Sequence, residues 1–260
     1  SLEALMRALE LNGAAVEGNK RAFELGRWAI HAPDEAAALT TSEVPVEERS
    51  LEERVAFRAD QLTAYQNAKL AKKYTALVDR ARKVSDELAL AVAQGYHKLL
   101  SYKDEYEVAR LHSETLEQAI AAKFEGVTNM RFHMAPPILG KKDAEGRPAK
   151  SEFGPWMLKA FSVLRPGKTL RGTPLDPFGY TAERKMERAL IAQFEADMDE
   201  VLSSVDASTH DAAVALALLP LQIRGFGHVK QANAEDAAKR REEILPRFRA
   251  GGAPILHAAQ

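Results

Sequence analysis

The chain of 260 residues contains no cysteine. Disulfides, thiolate catalysis, Cys-ligated zinc and Cys-ligated iron–sulfur clusters are therefore excluded from its chemistry. It also has no basic excess, because 36 Lys and Arg residues balance 37 Asp and Glu residues for a net charge of −1. With this balance we expect neither a general nucleic-acid-binding surface nor a surface for anionic membranes.

Long apolar runs and a secretory leader are missing as well. The longest apolar run, 212–220, is about half of the ~18 residues that a membrane span requires. The first residues lack a basic segment followed by an apolar core and instead place Leu2, Leu5 and Leu9 at helical spacing. We therefore expect no membrane-spanning segment and a cytoplasmic location.

Helix-forming residues dominate what is present. Alanine is the strongest helix former, and residues 46–125 contain a single helix breaker, Gly95. Ser50 and Glu53 form a capping-box pattern. One uninterrupted helix of ~45 residues would be roughly 65–70 Å long, so we expect a break at 79–85. The sequence predicts a mainly α fold, a multi-helix domain with long antiparallel helices.

Glycine and proline cluster in residues 126–180, which indicates a small β or extended insertion of irregular structure. Residues 127–134 and 168–172 are the candidate paired strands. Later helices are predicted after Thr181, after a capping pattern at 208–211, and from Asn233 onward. Pro246 should end or kink the last of them.

Three segments organise the chain. We expect residues 1–31 to be amphipathic helix that Asn12-Gly13 ends or bends, 32–49 to be a linker with an extended piece at 44–46, and 50–260 to be a helical C-terminal domain that contains the 126–180 insertion. About 30 residues of amphipathic helix cannot form a domain alone. Residues 1–31 are therefore expected to be the terminal helix of a preceding module.

The first stretch that could carry chemistry is 170–188, where a Gly/Pro-rich segment that includes Arg171 leads into a capped helix. Arg184 and Arg188 share one face of that helix, and free N–H groups at a helix start attract anions. An anion site is one interpretation. The other is that Asp176 and Glu187 pair with these arginines and fix the loop.

The second stretch, 221–230, places glycines on both sides of Phe226. Arg224, His228 and Lys230 could converge there on a carboxylate or a phosphate. The dinucleotide-binding pattern is excluded, because Lys230 stands where the third glycine would be. A tight turn held by ion pairs is the alternative interpretation.

The third stretch, 96–110, is rich in tyrosine and charge for a helix expected to be central. It indicates either a buried network of tyrosine hydroxyls with charged partners or a substrate pocket. None of the seven histidines is in a His-Glu-x-x-His motif, and no serine is in a Gly-x-Ser-x-Gly elbow. We therefore predict no catalytic residue and no metal ligand.

Several strings resemble one enzyme family. Residues 8–27 are similar to the end of the gamma module of indolepyruvate:ferredoxin oxidoreductase, and the remainder resembles the C-terminal domain of its large, fused bacterial form. The strings that carry the resemblance are 102–112 (YKDEYEVARLH), 133–139 (HMAPPIL), 153–157 (FGPWM), 170–173, 178–188 and 223–230 (IRGFGHVK).

The resemblance implies an enzyme that oxidatively decarboxylates a 2-oxo acid, such as indolepyruvate, to an acyl-CoA with coenzyme A. Such enzymes use thiamine diphosphate with magnesium, and electrons leave through [4Fe–4S] clusters to ferredoxin. This chain lacks cysteine and the Gly-Asp-Gly…Asn thiamine motif. We therefore expect these cofactors in the remainder of the enzyme, none bound by this chain, and no activity of the chain alone.

Two roles within such an enzyme stay open. The region could be a structural and interaction domain that docks on the catalytic modules or on a second protomer of a homodimeric enzyme. Alternatively, it could bind the anionic end of coenzyme A or of the 2-oxo acid. The residues for that site would be Arg171, Arg184, Arg188, Arg224, His228 and Lys230. A third possibility is a stand-alone helical binding protein.

Overall fold

The computed structural model describes residues 1–13, 15–39, 49–116, 120, 130–134, 141–142, 148–149 and 151–251. Within these residues the protein is mainly helical with short two-stranded pairings, which confirms the predicted fold class. Contacts divide the chain into two compact units, Ser1–Arg49 and Ser50–Gln260. No helix in the described ranges combines the length and apolar character needed to cross a membrane.

The first unit contains three helices: α1 (Leu2–Asn12), α2 (Val16–His31) and α3 (Pro33–Leu39). The helical stretch predicted over 1–31 ends its first helix at Gly13, one of the two outcomes predicted for Asn12-Gly13, because Gly13 adopts a left-handed φ of 69°. The predicted linker begins with α3, since a proline in the first position and acidic residues in the first turn favour a helix start. The extended piece predicted at 44–46 lies outside the described residues.

The second unit begins with α4 (Leu51–Tyr65), α5 (Ala68–Arg82) and α6 (Asp86–Leu100). The capping box of Ser50 and Glu53 is present, as predicted. The predicted break is confirmed before α6, where the Ser85 side chain accepts from the Leu88 N–H at 3.0 Å. A further break was not predicted. It occurs where Asn67 caps α5.

Helix α6 is central in the second unit and packs on α4, α5 and two later helices. These are α9 (Ala182–Ser204) and α10 (His210–Leu218). A 3₁₀ turn, Leu219–Gln222, follows α10. The predicted cap Thr181 accepts from the Arg184 N–H at 3.3 Å. The fully buried members of this core include Leu88, Val92, Tyr96, Met198 and Val201.

The last helix, α11, spans Gly227–Arg249, so its predicted start was wrong, and Pro246, which was predicted to end or kink it, does not end it. It begins six residues before Asn233, because the first turn follows directly from the backbone turn at Gly225. It also continues past Pro246. Buried Leu245 and Phe248 anchor the final turn, and the Ala250 N–H bonds to the Pro246 carbonyl at 2.9 Å.

The 126–180 region joins a second apolar cluster. Strand β1 (Phe132–Met134) pairs antiparallel with β4 (Ser151–Phe153), and β2 (Lys141–Lys142) pairs with β3 (Pro148–Ala149). Helix α7 (Glu105–Arg110), followed by a π turn, packs on α8 (Met157–Leu164). The cluster contains Ala109, Phe132, Met157 and Phe161.

The strand predicted at 168–172 was wrong. Residues Arg165–Leu170 form a 3₁₀ helix, and Gly172 turns the chain with a φ of 74°. This conformation carries Arg171 into the interior, where its side chain is 3% exposed. An extended partner strand would have left the guanidinium without its buried acceptor.

Candidate functional site

The three stretches singled out in the sequence meet in one polar network. Arg171, after the 3₁₀ helix, donates from Nε and one terminal nitrogen to the two Asp104 carboxylate oxygens at 2.5 and 2.7 Å. Asp104 also caps α7 by accepting from the Glu107 N–H at 2.8 Å. One carboxylate therefore orients both a helix start and a loop.

The third edge of the Arg171 guanidinium is occupied as well. Its other terminal nitrogen donates to the Tyr65 carbonyl at 2.6 Å, and the guanidinium lies 3.7 Å from the centre of the Tyr65 ring. The Tyr65 hydroxyl in turn donates to the Tyr102 carbonyl at 2.9 Å. Arg171 is thus enclosed by acceptors and an aromatic face, and it has no open edge for a ligand.

Asp176 receives a different donor from the one considered in the sequence. The Tyr106 hydroxyl donates to it at 3.1 Å, and so does the Phe178 N–H at the same distance. Burial raises the pKa of Tyr106, so its hydroxyl remains a donor. A Cβ on Gly167 would lie 2.5 Å from the Tyr106 ring, which shows how closely the loop covers it.

The predicted loops 170–188 and 221–230 are joined at Glu187. This buried carboxylate accepts from Arg184 at 2.5 Å and from the Lys230 ammonium group. Arg184 also lies 3.6 Å from Glu105, and burial raises the pKa of that carboxyl group. The arrangement is the ion-paired turn that the sequence offered as an alternative to an anion site.

The remaining predicted residues are less enclosed. Arg188 donates to the Gly179 carbonyl at 2.5 Å and thereby holds the loop before α9. Arg224 is exposed and donates from Nε to the Leu221 carbonyl at 3.0 Å. His228 is exposed on the first turn of α11. The six predicted residues therefore do not form a single anion site.

A cleft of about 190 Å³ lies between the end of α6 and the turn before α11. We call it the basic cleft. Four cations and one carboxylate line it, and the carboxylate is Glu187, which is already paired with two cations. The charged and aromatic lining residues are Lys98, Lys103, Lys230, Arg224, Glu187, Tyr102 and Phe226.

Two members of this cleft were not selected from the sequence. Lys98 and Lys103 lie in the stretch 96–110 that was noted for its density of polar groups, but only the tertiary fold brings them opposite Arg224. Another partner was missed entirely: Glu195 on α9 accepts from the Tyr96 hydroxyl at 2.6 Å. In the described ranges, no three His, Asp or Glu side chains are grouped as metal ligands.

The fold and the site together define a class: a helical domain whose loops are fixed by buried ion pairs and which carries a basic cleft at its surface. The match of a family model to residues 51–243 shows that the chain belongs to a family of unknown function, DUF6537. Comparison with curated proteins and with solved structures finds no match.

Proposed function

We propose that the chain is the C-terminal part of a thiamine-dependent indolepyruvate (2-oxo acid):ferredoxin oxidoreductase, and that this region is a non-catalytic structural domain. The proposed structural role rests on the positions, in the fold, of the sequence strings that resemble the oxidoreductase family. They contain Asp104, Arg171, Arg184, Glu187 and Lys230, which pair with one another inside the protein. The charges in these strings fix loops to helices.

In this proposal the reaction belongs to other modules of a cytoplasmic enzyme. Thiamine diphosphate, magnesium and [4Fe–4S] clusters are bound there, ferredoxin docks there, and the enzyme is a homodimer. The chain offers no cysteine for a cluster. Its contribution is to hold the catalytic modules or the second protomer in place.

The first unit supports a docking role. Helices α1 and α2 bury no residue, although both are amphipathic. Large apolar side chains on them remain open, with Leu11 73% and Ile30 80% exposed. Apolar faces of this kind are typical of contacts with another protein surface. The preceding oxidoreductase module is the partner we propose for them.

Two observations test the proposed place of this chain in the enzyme: the upstream reading frame and a binding measurement. The reading frame upstream should encode cysteine cluster ligands and a Gly-Asp-Gly…Asn motif. A polypeptide made from that upstream part should bind the 260-residue chain in analytical ultracentrifugation. Leu5→Lys combined with Leu25→Lys should weaken this association, whereas Glu3→Lys, a charge change on the same helix pair, should leave it intact.

A second test compares acyl-CoA formation by the chain alone with that by its complex with the upstream polypeptide. The chain alone, supplied with thiamine diphosphate, magnesium, coenzyme A, ferredoxin and indolepyruvate, should form no acyl-CoA, and the complex should form it. Acyl-CoA production by the chain alone would refute the non-catalytic role. An upstream frame without the cluster and thiamine motifs would refute the assignment to the oxidoreductase.

The alternative function is binding of coenzyme A or of a 2-oxo acid carboxylate. The contacts described above reduce the number of predicted residues that could bind such an anion. Arg171 is enclosed by internal acceptors and Arg184 is buried beside Glu187 and Glu105, so that only Arg224 and Lys230 of the predicted set line the basic cleft. Calorimetric titration of the chain with coenzyme A tests this alternative. No heat at millimolar ligand would remove it.

A further inference from the structure

We propose that the basic cleft binds the phosphate or diphosphate group of a small organic phosphate, with Lys98, Lys103, Arg224 and the Tyr102 hydroxyl as its ligands. These ligands share only Arg224 with the predicted anion set, and the proposal does not depend on the chain being part of an oxidoreductase. Four observations support the proposal: the local positive charge, the unused Tyr102 hydroxyl, the start of α11 and the size of the cleft.

Three of the four cations that line the cleft have no carboxylate partner among the described residues. Lys98 and Lys103 are exposed and form no ion pair with any residue that the structure describes. Among the described residues, the Arg224 guanidinium has a single acceptor, the Leu221 carbonyl, which takes a hydrogen bond from Nε. The chain as a whole has a net charge of −1, so this concentration of cations is local. Convergent cations beside low-dielectric walls attract a multivalent anion.

Tyr102 supplies a donor that the protein does not use. Its side chain lines the cleft, the residue is only 9% exposed, and its hydroxyl has no hydrogen-bond partner in the described part of the chain. Burial raises its pKa to about 12, so the hydroxyl keeps its proton near neutral pH. The hydroxyl is therefore available to donate a hydrogen bond to a ligand oxygen in the cleft.

The start of α11 adds further donors at the same edge. Phe226, which lines the cleft, is the N-cap and provides no side-chain acceptor. The first helical N–H group with an acceptor inside the helix is that of Lys230, which bonds to the Phe226 carbonyl at 3.5 Å. The N–H groups of residues 227–229 have no acceptor among the residues that the structure describes, as in helix starts that bind phosphate.

The volume of the basic cleft limits which part of a ligand can enter it. A cleft of 190 Å³ is smaller than the roughly 300–1,000 Å³ typical of pockets that enclose whole small molecules. It accommodates a charged head group, and the rest of the ligand must lie outside. Phe226, 68% exposed, with the Lys103 ammonium 5.8 Å from its ring centre, offers a surface for that part.

The test is isothermal titration calorimetry of the 260-residue chain at constant ionic strength with pyrophosphate, inorganic phosphate and pyruvate. Pyrophosphate should bind most tightly, phosphate more weakly, and pyruvate weakest because it carries a single charge. No heat at millimolar pyrophosphate would overturn the proposal. Equal affinity for pyruvate and pyrophosphate would also overturn it and would favour a carboxylate site.

Variants separate a built site from general charge attraction. Arg224→Gln should weaken pyrophosphate binding about tenfold, and Tyr102→Phe about three- to tenfold, because each removes hydrogen bonds to a charged ligand. Tyr102→Phe keeps the buried ring and removes a hydroxyl without a partner, so folding is preserved. Arg247→Gln and Lys185→Gln remove exposed cations elsewhere and should leave the affinity unchanged. Equal losses in the cleft and control variants would overturn the proposal.

Discussion

Arg171 and Asp104 lie 67 positions apart in the sequence, yet they form a bidentate ion pair in which both side chains are 3% exposed. The pair joins the loop after the 3₁₀ helix to the N-cap residue of α7. Taking one charge from such a pair leaves the other buried without compensation, which is a larger effect than the pair's own net contribution.

Asp104→Asn should therefore lower the free energy of unfolding by about 3–5 kcal/mol in urea denaturation. Asparagine still caps a helix, so the substitution isolates the loss of charge from the loss of the α7 cap. Asp199→Asn is the matched control, because it removes an exposed pair with Arg80 and should cost at most about 1 kcal/mol. Similar losses for both variants would contradict the role given to the buried pair.

Local signals in the sequence predicted local structure well. Ser50 and Thr181 each cap a helix as predicted, because a cap depends only on residues within one turn. The predicted tyrosine network is also present, through Tyr96 and Tyr106. What the sequence could not specify was the partner of each charge, since those partners are distant in the chain and are chosen by the packing of helices.

The candidate site illustrates this limit. Spacing on one helix grouped Arg184 with Arg188, but the fold directs Arg184 to Glu187 and Glu105, and Arg188 to a backbone carbonyl. Lys98 and Arg224 are 126 positions apart and meet only because α6 ends beside the turn before α11. Periodicity gives the buried face of a helix and carries no information about which distant loop covers its end.

Gly95 lies where α6 passes close to the backbone of α10. A Cβ at this position would lie 2.0 Å from the Ala217 carbonyl oxygen, so α6 and α10 could not keep their separation. Gly95→Ala should lower the free energy of unfolding by about 3 kcal/mol despite the better helix propensity of alanine. Thermal and urea unfolding followed by circular dichroism would measure this loss.

Gly26→Ala is the control for Gly95→Ala, because no atom lies within 4 Å of a Cβ there. In that variant the methyl group should stabilise α2 by about 0.5–1 kcal/mol. An unchanged or higher stability of Gly95→Ala would show that the α6–α10 contact relaxes without cost.

The hydrogen bond between Tyr96 and Glu195 joins α6 to α9 at 2.6 Å, and Glu195 also pairs with Lys73 at 2.6 Å. Tyr96→Phe should cost about 1.5–3 kcal/mol, the range for a hydrogen bond to a charged group. Tyr180→Phe, which removes an exposed hydroxyl bonded to a backbone carbonyl, should cost less than 1 kcal/mol. Chemical denaturation of the two variants side by side distinguishes these values, and equal costs would count against the interhelical bond.

His97 should make the stability of the protein depend on pH. Its Nε2 is buried without a hydrogen-bond partner in the described residues, and its ring lies edge-on to Tyr74 at 6.2 Å. Burial, with smaller contributions from Arg58 and Lys98, lowers the pKa of His97 from 6.5 to about 4. The folded protein therefore resists a proton that the unfolded chain accepts.

The direction of the pH dependence follows from the difference between the pKa of His97 in the folded and in the unfolded chain. Above pH 6.5 neither state is protonated at His97, and the full stability is present. Between pH 6.5 and 4 the unfolded chain binds the proton while the folded chain does not, so stability falls by something on the order of 1–3 kcal/mol. His97→Gln removes this linkage. The unfolding free energy of the native chain minus that of His97→Gln should therefore fall from pH 7 to pH 5. The same difference at both pH values would show that His97 does not contribute.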